Sequence, residues 1–167
     1  KLDLSSIKII TSTGSPLAEE SFKYVYENIK KDVHLASIAG GTDLVGCLVL
    51  GNFFSNVHKG AIQGQSLGID VDVFTDEGKS TKDGDKGELV VKKPFPSMPI
   101  KFWGDDEGKK YFQAYFAKFE NIWHHGDFIE RTSNNGFIMR GRSDSTLNPG
   151  GVRIGTSEIY QQVEDID

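Results

Sequence analysis

Arg142, Asp144 and Arg153 fall in one stretch, Gly141 to Gly155, that also holds four glycines and has almost nothing to bury. Arginine forks match phosphate oxygens and glycine lets backbone approach a ligand, so the stretch suits a polyanion. The same composition suits a surface loop between two elements. Two shorter glycine-bearing stretches, Thr13-Gly14-Ser15-Pro16 and Gly40-Gly41-Thr42-Asp43, pose the same choice between ligand contact and plain turn chemistry. Asp127 follows Gly126 beside a strand-like run, where a carboxylate can accept two hydrogen bonds from a vicinal diol. His124 and His125 adjoin it, but neighbours on a strand point to opposite faces, which argues against a shared metal. No Ser–His–Asp or Cys–His set is assembled, so catalysis by a side-chain nucleophile is not expected. Neither glycine stretch matches the phosphate loop ending in Lys-Ser/Thr or the dinucleotide fingerprint.

The elements around these residues follow from periodicity. Ile7, Ile9 and Ile10 form a short apolar run, read as a buried strand. Ser15 can cap a helix with Pro16 in its first position, with Glu19 and Glu20 in the first turn and Lys30 and Lys31 in the last. Phe22, Val25, Tyr26 and Ile29 recur at helical spacing and predict a buried face. Val33 to Ile38 reads as a second strand, ended by Gly40 to Asp43. Strand, helix and strand make a βαβ unit with parallel strands, and both glycine stretches then lie at the sheet's carboxyl edge, where open parallel sheets bind ligands. The first loop would offer amides at a helix N-terminus, suited to an anion or a purine edge.

From Ile62 the pattern changes to strands. Ile69, Val71 and Val73 alternate with Asp70 and Asp72, which predicts a half-buried strand. Turns at Thr75–Gly78 and Asp83–Gly87 lead to a returning strand, Glu88 to Val91, and the proline-rich run 94–99 must be loop. Tyr111, Phe112, Tyr115, Phe116 and Phe119 cluster on one face of a short helix, read as core rather than as a ligand cage. Strand-like runs at 122–129 and 137–139 flank Ser133-Asn134-Asn135-Gly136, a hairpin signal. Ile159, Val163 and Ile166 carry a helical stripe, so the Gly141–Gly155 stretch reads as a joint between two bodies.

Composition narrows the classes. A net charge of −5 argues against a nucleic-acid groove, which would need a basic face. Cys47 is alone, so neither an intrachain disulfide nor a cysteine-based zinc site is expected, and a reducing compartment, the cytoplasm, is the default. No apolar run reaches the roughly 18 residues of a spanning helix. Lys1 at the start and a helical pattern at the end read as a piece of something longer.

Taken in order and spacing, Ser12 to Leu17, Gly40 to Asp43, Gly87 to Val90, Trp123-His124-His125-Gly126-Asp127 and Gly141 to Arg153 resemble the motifs of adenylate-forming acyl-CoA synthetases, along essentially the whole chain. The phrases Ser-Thr-Gly-Ser-Pro-Leu, Trp-His-His-Gly-Asp and Thr-Leu-Asn-Pro look like the branch that acts on acetoacetate. The resemblance implies a mixed α/β fold: a βαβ portion of the AMP-binding domain over 1–58, a β-rich, barrel-like subdomain over 59–143, and the hinge with the start of a small C-terminal domain over 144–167. It implies ATP, CoA and a short-chain acid as substrates, with Mg2+. Gly14, Ser15 and Pro16 would line the adenine and ribose side, with Gly41 beside them. Thr42 would contact the α-phosphate, and Asp43, where relatives usually carry glutamate, would help hold Mg2+. Asp127 would take the ribose hydroxyls beside Arg142. Asp144 would be the hinge, Arg153 would meet phosphates, and Gly150 and Gly151 would meet the pantetheine arm. Ala39 and Gly40 would leave the acyl pocket open for an acid longer than acetate.

The family's Ser/Thr/Gly-rich phosphate loop and its catalytic lysine are expected outside these residues, so the chain alone is expected to be inactive, with exposed faces prone to self-association. Two other readings remain open: a non-catalytic β-rich module gripping a nucleotide or sugar, and the adenylation domain of a peptide-making assembly.

Overall fold

The computed structural model describes residues 2–143 together with 159, 162 and 163. The sequence-predicted residues Asp144, Gly150, Gly151 and Arg153, and Ile166 of the C-terminal stripe, lie outside them. β1 (Ile9–Ser12) and β2 (His34–Ser37) pair in parallel, Ile9 opposite His34 and Ser12 opposite Ser37. α1 (Glu19–Tyr24) connects them and runs on into a π-helical turn, Val25–Ile29. The βαβ unit is present, and its carboxyl edge carries both glycine stretches.

Local details differ from the sequence reading. Gly14 turns the chain at φ +91, and the helix begins only at Glu19, after Ala18, whose carbonyl accepts from the amides of Ser21 and Phe22. Ser15 therefore does not cap it and Pro16 is not its first residue. Because the helix begins at Glu19, the Thr13–Pro16 loop does not hold the helix N-terminus that the sequence reading gave it. Phe22 is buried, whereas Ile29 is exposed, because the π-turn rotates the stripe away from the sheet. Lys30 and Lys31 lie past the helix, and Lys30 pairs with Asp32 at 2.7 Å. Strand β1 is not buried: Ile9 is 45% exposed and Ile10 half-buried, since among the described residues β1 has a single strand neighbour.

β3 (Ala39–Gly41) and β4 (Gly46–Leu50) form an antiparallel hairpin, and β5 (Gly64–Gln65) pairs with β4. Gly40 and Gly41 are thus strand residues, not the loop that the sequence suggested. A Cβ on Gly40 would stand 2.1 Å from the Gly46 carbonyl oxygen, so only glycine allows this approach. The turn between β3 and β4, residues 42–45, carries Thr42 and Asp43.

The third sheet is a meander of β6 (Val71–Phe74), β7 (Lys86–Val91), β8 (Trp123–Arg131) and β9 (Phe137–Arg142), antiparallel throughout. The β8–β9 hairpin closes at Ser133–Gly136, with Asn135 at φ 61 and the Thr132 amide donating to the Gly136 carbonyl at 2.9 Å. β6 is more buried than its alternation implied. Asp72 is 4% exposed because it accepts from the Val73 amide at 2.8 Å and the Ser80 hydroxyl at 2.7 Å and pairs with Lys92 and Arg131.

Between β7 and β8 lies α2 (Lys109–Tyr115). Asp105 accepts the amide of Tyr111 at 2.9 Å and so ties the start of that helix. Tyr111, Tyr115 and Phe116 pack on Trp123 within the main core, with Leu48, Val73, Leu89 and Ile129. Phe119 joins Phe74 and Val90 in a smaller cluster, while Phe112 faces solvent. The aromatic stripe is mostly core, as its spacing suggested. No described helix is long and apolar enough to cross a membrane.

Candidate active site

Where the parallel sheet's carboxyl edge meets the third sheet, a cavity of about 510 Å3 is lined by Thr13, Gly14, Ser15, Pro16, Ala39, Gly40, Gly41, Thr42, Asp127 and Arg142, with Cys47 and Met139. Four sequence stretches far apart in the chain therefore converge. A second cleft, about 870 Å3, shares Gly40, Gly41, Thr42 and Arg142 with it and adds Asp43, Tyr115, Lys118, His124, His125 and Ser143. Ala39 and Gly40, expected at the acyl end, stand on the wall of the first cavity.

Asp127 enters this cavity from β8 and is 6% exposed. The β8–β9 register sets Asp127 opposite Arg142, and the guanidinium Nη1 lies 3.5 Å from Asp127 Oδ1 and donates to the His125 carbonyl at 3.2 Å. Gly126 has φ +82, and a Cβ there would fall 2.7 Å from Arg142 Nη2. The backbone conformation favours glycine before the aspartate, and a Cβ there would also push the Arg142 guanidinium from its place. His125, two residues before Asp127 and on the same face, points Nε2 at Asp127 Oδ2, 3.6 Å away. The Trp123 indole N–H donates to His125 Nδ1 at 3.4 Å, which leaves the proton of the neutral ring on Nε2, facing the carboxylate. His124 turns the other way, to Glu88 Oε2 at 3.0 Å, as adjacent strand positions require.

Asp43 lies in the second cleft, and its Oδ2 accepts the Tyr115 hydroxyl. Its Oδ1 packs so closely on Gly41 that a Cβ at Gly41 would stand 2.2 Å from it. Burial, then the Asp43 bond and charge, push the Tyr115 hydroxyl's pKa well up, so it stays a donor at neutral pH. Tyr115 was read from the sequence only as core. Its spacing marked a helix face, but a contact with a residue 72 positions away leaves no periodic signal.

Glu88 is the second residue whose role the sequence did not announce. It is 1% exposed and accepts from Lys118 Nζ at 2.5 Å and His124 Nε2 at 3.0 Å. Burial pushes this carboxyl up, but hydrogen bonds from His124, Lys118 and Ser143 and the Lys118 charge outweigh it, and the pKa falls to about 2. Glu88 therefore stays charged beneath the floor of the second cleft and anchors Ser143, which directly follows β9. Cys47 lines the first cavity half-buried, and burial raises its pKa, so it is a neutral thiol and a poor nucleophile. Among the described residues no cluster of three or more His, Cys, Asp or Glu could hold a metal.

No protein-family model matches the chain. Acetoacetyl-coenzyme A synthetase of Rhizobium meliloti is 61% identical over 165 residues, covering 99% of this chain and 25% of that protein. The acetoacetyl-CoA synthetase of Gallus gallus is 49% identical over 163 residues, 97% of this chain and 24% of that protein. Among solved structures, acetoacetyl-CoA synthetase from Streptomyces lividans superposes with a TM-score of 0.88 at 40% identity, over 99% of this chain and 26% of that one. An anthranilate CoA ligase, AuaEII, in complex with anthranoyl-AMP superposes with a TM-score of 0.75 over 94% of this chain and 28% of that one; at 20% identity it speaks for the fold alone. The chain spans about a quarter of the length of the curated relatives it matches. In sequence and in fold alike, these 167 residues match one segment of the acetoacetyl-CoA synthetases, among the adenylate-forming enzymes that the motifs resemble.

Proposed function

We propose that this segment forms one wall of the adenylate site in an acid–CoA ligase, which joins a short-chain acid, acetoacetate first, to AMP and then to CoA. The observation that carries the reading is the convergence of Gly14, Ser15, Pro16, Gly41, Thr42, Asp127 and Arg142 on one cavity. In the first half-reaction an acid oxygen attacks the α-phosphorus of ATP and pyrophosphate leaves. In the second, the CoA sulfur attacks the acyl carbon and AMP leaves. Both steps depend on positioning and charge stabilisation, which fits a cavity with an arginine, hydroxyl and amide donors and no activated nucleophile.

In this reading Asp127 accepts both ribose hydroxyls, while Arg142 stays beside it over Gly126. Gly14, Ser15 and Pro16 flank the base, and Thr42 donates to the α-phosphate. Ala39 and Gly40 bound the acyl end. Mg2+ binds proteins through one or two carboxylates plus substrate phosphates, so a single carboxylate, Asp43 beside Thr42, fits it. Bound there, the ion would neutralise phosphate charge. Arg153, Asp144, Gly150 and Gly151 keep their proposed parts as phosphate contact, hinge and pantetheine contacts. The division at 58/59 and 143/144, self-association of the segment, its inactivity alone and a cytoplasmic location belong to the same proposal.

The test is Asp127→Ala in a full-length synthetase carrying this segment. A hydrogen bond to a charged group contributes about 1.5–3 kcal/mol, so loss of the carboxylate should raise the KM for ATP or lower kcat by about tenfold or more. Unchanged constants would remove Asp127 from the nucleotide site.

A further inference from the structure

Tyr115 and Tyr111 sit four residues apart on α2, in the same aromatic cluster, yet their hydroxyls end differently. Tyr111 donates to the Pro99 backbone carbonyl at 2.5 Å, the usual way a core tyrosine satisfies its polar tip. Tyr115 instead donates to a carboxylate on a cleft wall, Asp43. Its ring is fixed from below: it stacks on Trp123 with centroids 3.7 Å apart and planes 12° apart, and Phe102 packs edge-on at 5.6 Å. Trp123 is itself buried at the core's centre and passes its indole N–H to His125, whose Nε2 faces Asp127. One aromatic stack from α2 and β8 thus supports both carboxylates of the site.

We propose that Tyr115 is a positioning residue, which fixes the Asp43 carboxylate through its hydroxyl and is itself held by the stack on Trp123. The inference rests on the reading that Asp43 serves the metal–phosphate end of the nucleotide. Without the hydroxyl, Asp43 Oδ2 loses a donor, and the carboxylate can rotate away from its seat on Gly41. The adenine and ribose side of the cavity is untouched, so the effect belongs to metal–nucleotide binding and not to nucleotide binding in general.

The experiment compares Tyr115→Phe, Asp43→Ala and the double variant in a full-length synthetase carrying this segment. The probes are Mn2+·ATP binding, followed by the electron paramagnetic resonance of free Mn2+, and calorimetric titration with AMP alone. Phenylalanine keeps the ring and its stack, so the thermal midpoint reports whether the fold has been preserved. Tyr115→Phe should weaken Mn2+·ATP binding roughly tenfold, as expected for a lost bond to a charged group, and leave AMP binding within about twofold. Added to Asp43→Ala, it should cost less than about twofold more, because the group it positions has gone. If Asp43→Ala weakens binding but Tyr115→Phe does not, or if the two losses multiply, the positioning role is overturned while the reading of Asp43 stands. If Asp43→Ala itself leaves Mn2+·ATP binding unchanged, that reading falls and this inference with it.

Discussion

Replacing Glu88 by glutamine tests the buried anchor beneath the second cleft. The substitution keeps shape and removes charge. In the parent chain the carboxylate takes hydrogen bonds from Lys118, His124 and Ser143, all donors. A glutamine amide has only one acceptor oxygen, so its NH2 would face at least one of those donors. Lowering the carboxyl pKa from 4.5 to about 2 corresponds, at roughly 1.4 kcal/mol per pKa unit, to about 3 kcal/mol of stability. That agrees with the roughly 3–5 kcal/mol lost when one member of a buried ion pair is removed. Because the folded pKa is depressed, this stability is fully present above 4.5 and is lost as pH falls towards 2. Urea unfolding of parent and variant from pH 7 to pH 2.5 should therefore show a gap of about 3 kcal/mol at neutral pH that closes below pH 4.5. A gap under about 1 kcal/mol at pH 7, or one that persists unchanged into acid, would refute the anchoring argument.

Two further substitutions separate site from scaffold. Gly41→Ala puts a Cβ 2.2 Å from Asp43 Oδ1, so it should displace that carboxylate and cut adenylate formation about tenfold while changing stability by less than about 1 kcal/mol; an unaltered pyrophosphate-exchange rate would contradict this. Val45, at φ 49 and 86% exposed, is a β-branched residue in the left-handed region with little burial to lose. Val45→Gly should raise unfolding free energy by about 0.5–1 kcal/mol, relief of strain being partly offset by glycine's unfolded-chain entropy, and a loss of that size in thermal unfolding would show that Val45 is not strained.

What could be read from the sequence was whatever leaves a local signature. The βαβ unit, the Asn134–Asn135 hairpin and the aromatic face of α2 all carry periodicity or turn chemistry, and each is present. Element edges were less legible. The start of α1 moved from Ser15 to Glu19 because Gly14 redirects the chain, and glycine's permissiveness does not say which way it turns. Gly40 and Gly41 looked like a turn, yet they pair with β4, which comes so close to Gly40 that no side chain fits there. Asp72 looked solvent-facing by alternation, and only the tertiary pairing with Lys92 and Arg131 lets it be buried.

The side chains that organise the site without touching a ligand are the ones the sequence conceals. Asp43, Asp127 and Arg142 stand in motifs whose residue types already suggest phosphate and ribose chemistry. Trp123 shares a motif with Asp127, and Glu88 lies in the Gly87 to Val90 motif, but neither residue type announces a role there. Tyr115 stands in no motif at all, and buried aromatics and a glutamate in a strand have ordinary structural uses. Strand β8 shows why such residues matter. Its alternation sets Trp123, His125 and Asp127 on one face, so a single strand runs from core packing to cavity wall in three steps. The Trp123–His125 bond carries the rigidity of the core to the carboxylate, and Gly126 gives Arg142 the space to lie over it. A substitution in the core end of that strand, with no ligand within reach, should therefore disturb the site as surely as one in the cavity.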